Sequence, residues 1–95
     1  MQIKRSDRFR SDLAQILDFI AQDSVFYALK FEDDLYAALE ILQGDFARGA
    51  RKSFYVDVPN AHDFIFKGYV IPYRVNESKN QVELLGIFKH NIWRY

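Results

Sequence analysis

The chain of 95 residues contains no cysteine, two prolines, four glycines and two histidines. Without cysteine it forms neither disulfide bonds nor thiolate metal sites, and nothing indicates an oxidising compartment. No apolar run approaches the roughly 18 residues that a membrane-spanning helix needs. The charged N-terminus also lacks the apolar stretch of a signal peptide. These absences predict a cytoplasmic protein that does not span a membrane.

Motifs of common catalytic sites are also missing. No glycine pattern resembles a phosphate-binding loop or a dinucleotide fingerprint, and the pattern GxSxG does not occur. His62 and His90 lie far apart without acidic neighbours at metal-ligand spacing, so neither a metal site nor a cofactor is expected. Most carboxylates between Asp12 and Asp45 fall on the polar faces of predicted helices. That position favours solvated surface over a general acid–base pair.

The net charge of zero conceals an uneven distribution of charge. Residues 11–47 carry eight acids and one base, whereas residues 48–95 carry eight bases and four acids. This pattern predicts an acidic face and a basic face, and the basic face suits nucleic acid or an acidic protein segment. The alternative is a solvated surface on which both signs mix in three dimensions.

Two helices are predicted in the first half of the chain. Apolar residues make up 49% of the composition, and no repeat or linker is present, so residues 1–95 are predicted to form one domain. Residues 2–4 suit a short strand. Ser6 and Ser24 suit helix N-caps, and after each of them apolar residues recur at spacings of three and four. The second helix is expected to end near Gly44 and to form an antiparallel hairpin with the first.

After Gly49 the spacing of apolar residues changes to alternation, which is typical of strands. Lys67-Gly68 suits a tight hairpin turn. The predicted strands cover residues 53–58, 63–66, 69–75 and 81–88. The order β-α-α-β-β-β-β predicts an α+β fold, with a helical hairpin packed on a twisted antiparallel sheet.

The run Tyr69–Val75 contains a proline in an otherwise strand-like sequence. Pro72 is expected where its missing N–H faces no ladder partner, at a bulge or an edge. Alternation places Tyr69, Ile71 and Tyr73 on one face, and Tyr73 is predicted to be a core residue.

Cationic and aromatic residues are concentrated in the predicted sheet half of the chain. Cations recognise phosphate, and aromatic rings stack on unpaired bases. A role in the core is the alternative for the aromatic residues, whereas Lys67 and Arg74 are expected to be solvated or to face a partner. The set comprises Arg51, Lys52, Lys67, Tyr69, Tyr73, Arg74, Lys89, His90, Trp93, Arg94 and Tyr95.

Three segments carry a recognisable pattern: RKSFYVDV at 51–58, HDFIFKGYVIPYRV at 62–75 and VELLGIFKHNIW at 82–93. Together with the order of one strand, two helices and a meander, they resemble the RelE/ParE superfamily, the toxins of type II toxin–antitoxin modules. The resemblance covers nearly the whole chain. It implies a small α+β toxin that is held inactive by an antitoxin, whose flexible segment wraps the helices and the sheet.

The superfamily divides into two functional classes. RelE-like members cleave mRNA in the ribosome, whereas ParE-like members inhibit DNA gyrase. In the nuclease branches an arginine usually follows the first aromatic residue of the hairpin strand, where this chain has Val70. His90 matches the place of another catalytic residue, and Tyr95 is close to it in sequence. The missing arginine favours the ParE-like class, because loss of a phosphate-stabilising cation lowers the rate by orders of magnitude.

Three functions are therefore hypotheses: a gyrase-inhibiting toxin, a ribosome-dependent mRNA endonuclease, and a non-toxic interaction module with the same fold. The free toxin is not expected to bind DNA directly. For a nuclease, the resemblance gives as candidate catalytic groups His90, Lys67, Arg74 and Tyr95. The residues expected to bind the antitoxin or the target are Arg51, Lys52, Lys67, Arg74, Lys89, Trp93, Arg94, Tyr27 and Tyr36.

Overall fold

A computed structural model describes residues 1–89 of the chain. The α+β prediction is confirmed, because a helical hairpin precedes four of the five strands and packs on their sheet. No helix within residues 1–89 is both long and apolar enough to cross a bilayer. In chain order the elements are β1 (Gln2–Arg5), α1 (Asp7–Asp23), α2 (Val25–Leu39), a 3₁₀ turn (Glu40–Gln43), α3 (Phe46–Gly49), β2 (Ala61–Phe66), β3 (Tyr69–Asn76), β4 (Gln81–Leu84) and β5 (Phe88–Lys89).

Both helices of the hairpin begin at the predicted serine caps. The Ser6 hydroxyl accepts a hydrogen bond of 3.0 Å from the N–H of Phe9, and the Ser24 hydroxyl accepts one of 3.2 Å from the N–H of Tyr27. These bonds satisfy N–H groups that have no partner within the helix. Ser24 alone separates α1 from α2, and its extended backbone turns the chain back on itself.

The second helix is shorter than predicted. It ends at Leu39 and continues as the 3₁₀ turn, and Gly44 caps that turn through an N–H···O bond of 3.4 Å to Ile41. The predicted cap residue is therefore at the end of a helical segment, although the last turn is tighter than an α-helix. Such tightening is common where a helix ends.

The sheet is mixed, and the prediction of a wholly antiparallel sheet is wrong at β1. The strand order is β1-β4-β3-β2, in which β2, β3 and β4 are antiparallel neighbours and β1 lies parallel to β4. A parallel pair needs a long crossover connection. Here the helices, together with β2 and β3, provide it, so β1 lies beside a strand that is distant in sequence.

The predicted turn between β2 and β3 is confirmed. Lys67 has φ 48° and Gly68 has φ 82°. Positive φ at both central residues is typical of the type I′ turn, whose twist matches that of the flanking strands.

The predicted strand at residues 53–58 is wrong. Lys52, directly before this segment, makes one isolated bridge to His62 of β2, and residues 53–58 form a loop. The Ser53 hydroxyl accepts the N–H groups of Tyr55 and Val56 at 3.1 and 3.2 Å. This side chain occupies the backbone donors that a ladder would use, which is how serine competes with regular structure.

The predicted strand at residues 81–88 is interrupted at 85–87, opposite Pro72. The Pro72 carbonyl accepts a hydrogen bond of 2.8 Å from the N–H of Leu85. In extended backbone the nitrogen and the carbonyl of one residue face the same side. The proline nitrogen therefore faces the gap between β4 and β5, where no ladder bond is lost. The expectation for Pro72 is thus confirmed.

The main core lies between the hairpin and one face of the sheet. Tyr73 is fully buried there, as predicted. Val70 is also fully buried, but its side chain lies on the opposite face. Its strand neighbour is Phe88 of β5, and the Tyr55 ring packs edge-on against Phe88 at 5.1 Å. Both faces of β3 are therefore covered. The core cluster includes Phe9, Leu13, Phe31, Leu35, Leu39, Leu42, Ile71, Tyr73, Val75, Val82 and Leu84.

Candidate partner-binding surface

A row of aromatic rings carries two cations at the β2–β3 turn. The Phe31 ring packs edge-on against Phe66 at 5.4 Å and against Tyr69 at 5.5 Å. The Lys89 ammonium lies 4.8 Å from the centroid of the Tyr69 ring, and the Lys67 ammonium lies 5.4 Å from that of Phe66. The structure thus brings Lys67 and Lys89 to the two ends of one aromatic row, where cation–π attraction holds them.

Lys67 also has an acidic partner within the chain. Its Nζ lies 2.8 Å from Oδ2 of Asp34 on α2, and the same oxygen is 3.3 Å from the Nζ of Lys30. The hydrogen bond from Lys67, followed by that from Lys30, lowers the pKa of Asp34. Lys67 therefore ties the hairpin turn to the second helix.

Arg74 forms an ion pair within the sheet. Its guanidinium lies 2.6 Å from Oε1 of Glu83, the residue opposite it on β4. Arg74 lies five positions after Tyr69, the first residue of β3, which corresponds to about 16 Å along an extended strand. The structure therefore does not bring Arg74 and Lys67 together, and each of them already has a carboxylate partner.

Arg51 and Lys52 lie on the loop before β2 and form no ion pair with any other described residue. The Arg51 guanidinium lies over the Phe54 ring, 4.4 Å from its centroid. Both cations are exposed. Of the predicted cations of residues 1–89, these two and Lys89 form no ion pair with another described residue, so none of those residues competes with a partner for their charge.

The two predicted tyrosines lie on different sides of α2. Nine residues separate Tyr27 from Tyr36, which corresponds to about half a turn around the helix axis in projection. Tyr27 is 62% exposed and packs edge-on against Phe26 at 5.3 Å. Tyr36 is half-buried beneath the Arg5 guanidinium, which is 4.6 Å from the ring centroid, in a groove of about 200 Å³ between the helices. They do not form one patch.

Four of the predicted residues, His90, Trp93, Arg94 and Tyr95, lie outside the described residues. Among residues 1–89, no group of three or more His, Asp or Glu side chains could hold a metal ion.

Tyr73 donates a hydrogen bond of 3.1 Å to the carbonyl of Ala47. Burial, and to a smaller extent the charge of Asp63, raises the pKa of Tyr73 to about 12. The phenol is thus a structural donor that remains protonated at neutral pH.

Several exposed apolar side chains were missed by the sequence-based prediction. Phe19, Phe26 and Leu29 are 58–69% exposed on the helical hairpin, and Phe54 is 73% exposed on the loop. Phe19, Phe26 and Leu29 lie outside the apolar stripes from which the helices were predicted. Their positions in the sequence could therefore have indicated that they are exposed. Phe54 gave no such signal, because the alternation of Phe54, Val56 and Val58 placed it in a predicted strand.

Comparison with known proteins identifies the family. The family model described as "ParE toxin of type II toxin-antitoxin system, parDE" matches residues 3–92. The solved structure of a chromosomal ParDE TA system from P. aeruginosa is similar, with a TM-score of 0.76, 22% identity and coverage of 96% of this chain and 97% of that chain. A metal-bound toxin from Helicobacter pylori is a looser match, with a TM-score of 0.45, 16% identity and coverage of 95% and 94%. No curated protein sequence gives a significant match.

The family match extends from within β1 to beyond β5, so it includes the helical hairpin, the loop and the sheet. At 22% identity the P. aeruginosa structure supports the same fold independently. The chain therefore belongs to the ParE toxin family of type II toxin–antitoxin systems.

Proposed function

We propose that this ParE-family toxin inhibits DNA gyrase and is neutralised by a cognate antitoxin. The observation that carries the proposal is the family match over residues 3–92. The similarity to a ParDE system also supports an antitoxin partner. Gyrase as the target would place the action in the cytoplasm, with growth arrest as its outcome.

The environment of Val70 supports a gyrase inhibitor over a nuclease. The side chain is fully buried and pairs with Phe88 of β5. A cation at that position would be removed from water without a partner, which is strongly unfavourable. The position that carries an arginine in the resembling nuclease branches is therefore part of the hydrophobic interior in this chain.

The placement of Lys67 and Arg74, the two nuclease candidates within residues 1–89, also supports a gyrase inhibitor. Lys67 and Arg74 lie at opposite ends of β3, and each is bound to a carboxylate, Asp34 and Glu83 respectively. Stabilisation of a transferring phosphoryl group requires cations that converge on one place. Lys67 and Arg74 do not converge on one place in the structure of residues 1–89.

A supercoiling assay with purified gyrase tests the proposal. We expect micromolar toxin to inhibit supercoiling, and we expect addition of the antitoxin to restore it. Absence of inhibition at that concentration would falsify the gyrase target. Expression in a bacterial host should arrest growth and induce the DNA-damage response, because a poisoned gyrase leaves broken DNA.

The mRNA endonuclease is tested in the same host. Primer extension on translated mRNA would then show toxin-dependent cuts that disappear in His90→Ala. Cuts of that kind, without gyrase inhibition, would reassign the function. Growth that continues unchanged would instead support a non-toxic module.

A further inference from the structure

Phe54 is the most exposed large apolar side chain among the described residues, with 73% of its surface accessible. Exposed rings normally lie on mobile loops, because nothing packs against them. Here the backbone around the ring is held in place. The segment 53–55, which we call the aromatic corner, is therefore an ordered structure that presents an aromatic side chain to solvent.

A serine–aspartate pair holds the aromatic corner. The Ser53 hydroxyl donates a hydrogen bond of 2.6 Å to Oδ1 of Asp63, and the N–H of Phe54 donates one of 2.9 Å to Oδ2. The N–H of Ser53 donates a bond of 2.8 Å to the carbonyl of Ala61. His62 adds a further bond, in which Nδ1 donates to the carbonyl of Ala50 at 2.8 Å. Residues of β2 thus hold the loop between Ala50 and Phe54.

Two exposed cations, Arg51 and Lys52, lie close to Phe54 in the loop. The Arg51 guanidinium lies over the Phe54 ring, 4.4 Å from its centroid, and 73% of the Phe54 surface is still accessible. Lys52 is the next residue, and neither cation is in an ion pair with another described residue. Such a site fits an apolar side chain with carboxylates close to it in sequence.

An open strand edge lies next to the aromatic corner. β2 is the last strand in the order β1-β4-β3-β2, and within residues 1–89 the loop covers only its first half. The carbonyl of Ala61 faces this edge, where it accepts the bond from Ser53. Backbone groups alternate sides along a strand, so those of Ile65, four residues later, also face the edge. No described strand pairs with them. An added extended segment could do so.

We propose that the aromatic corner and the open edge of β2 bind an acidic, extended segment of the antitoxin, and that Asp63 is a positioning residue for Phe54. The inference rests on the proposed neutralisation by an antitoxin and names its site. Phe54 is the anchor, Arg51 and Lys52 pair with the acids, and Ile65 supplies main-chain hydrogen bonds. Ordering the corner before binding lowers the entropy lost on association.

Titration calorimetry with the toxin and its cognate antitoxin tests the anchor. Phe54→Ala should weaken binding at least about tenfold, as expected for a central aromatic anchor. Phe19→Ala is the matched control, since Phe19 is also a phenylalanine and is 69% exposed on α1. The control should change affinity by less than about twofold. Equal effects of the two substitutions would overturn the inference.

A double-mutant cycle tests the positioning role of Asp63. Asp63→Ala should weaken binding about fivefold in the wild-type background but less than about twofold in the Phe54→Ala background. A purely structural role would give the same loss in both backgrounds. Amide exchange at Phe54 should also be faster in Asp63→Ala, because its N–H loses the carboxylate acceptor.

Hydrogen exchange tests the open edge without any substitution. The amide of Ile65 should be protected in the complex and exposed in the free toxin, and unchanged exchange would count against strand addition. Failure of the wild-type toxin to bind antitoxin would overturn both this inference and the proposed neutralisation. Tight binding that Phe54→Ala leaves unchanged would overturn only this inference. The supercoiling assay reports on the target separately.

Discussion

The carboxylate of Asp12 on α1 accepts a hydrogen bond of 3.2 Å from the N–H of Ile87, which lies 75 residues later in the chain. Ile87 belongs to the break between β4 and β5. A Cβ added to Gly86 would approach Oδ2 of Asp12 to 3.1 Å, so the backbone passes very close to the helix there. Asp12 thereby ties the segment between β4 and β5 to α1.

Asp12→Ala should lower the free energy of unfolding by about 1–2 kcal/mol, because it leaves the half-buried N–H of Ile87 without its acceptor. Urea denaturation measures this change. Asp18→Ala, at an exposed position of the same helix, is the control and should change stability by less than about 0.5 kcal/mol. Equal stability of the two variants would show that the contact contributes nothing.

Tyr73 should make the protein sensitive to alkaline pH. Burial raises its pKa to about 12 from an ordinary value of 10.0. Because the folded state favours the neutral phenol, this contribution is fully present below pH 10 and decreases as pH rises towards 12. The loss should reach about 3 kcal/mol and is measured by denaturation at a series of pH values.

Tyr73→Phe should remove that part of the alkaline decrease. At neutral pH it should lower the free energy of unfolding by about 1–2 kcal/mol, since the carbonyl of Ala47 loses its donor. Tyr27→Phe, at an exposed position, should leave the alkaline decrease as it is in the wild type. If both variants keep the wild-type decrease, a different group is responsible.

Val70→Arg should destabilise the fold by several kcal/mol or prevent folding, because it places an unpaired cation in the interior. Val25→Arg provides the matched control at a position that is 63% exposed, and it should cost less than about 0.5 kcal/mol. Thermal unfolding followed by circular dichroism compares the two. A stable, soluble Val70→Arg protein would contradict the argument that burial prevents a catalytic arginine at this position.

The ion pair between Lys67 and Asp34 should contribute modestly. A double-mutant cycle with Lys67→Met and Asp34→Asn should give a small coupling that weakens further as salt is added, since both groups are partly exposed and salt screens them. The pKa of Asp34 is lowered from its ordinary 3.8, so the coupling is present above that pH. It should disappear as pH falls through the lowered pKa. Coupling that persisted in strong acid would point to packing rather than charge.

Local chemistry was sufficient to predict the helical hairpin and the β2–β3 turn. Ser6, Ser24 and the Lys67-Gly68 pair act on their immediate neighbours, so their effect can be read from a few residues. The burial of Tyr73 also followed from simple alternation. The strand predicted at 53–58 failed because its alternating apolar residues resemble a ladder, whereas Ser53 bonds to the local backbone and to Asp63 instead.

The sequence predicted which residue types the candidate site contains, but not which of those residues share one surface. Of the described site residues, Lys67, Arg74 and Lys89 lie on the sheet or its turn, whereas Arg51 and Lys52 lie on the loop before β2 and Tyr27 and Tyr36 lie on α2. The sequence could not indicate which cations already have partners, because Asp34 and Glu83 are brought to Lys67 and Arg74 only by folding. It also could not separate Tyr27 from Tyr36 without the axis of the helix.

The α+β class, the helix starts, the hairpin turn and the family could be predicted from the residues, because each depends on short-range spacing or on a recognisable run of residues. Folding was needed to reveal the parallel pairing of β1 with β4, the contact of Asp12 with the break at 85–87, and the exposure of Phe54. These features depend on contacts between residues far apart in the chain. Short-range patterns carry no record of such contacts, which arise when the elements pack.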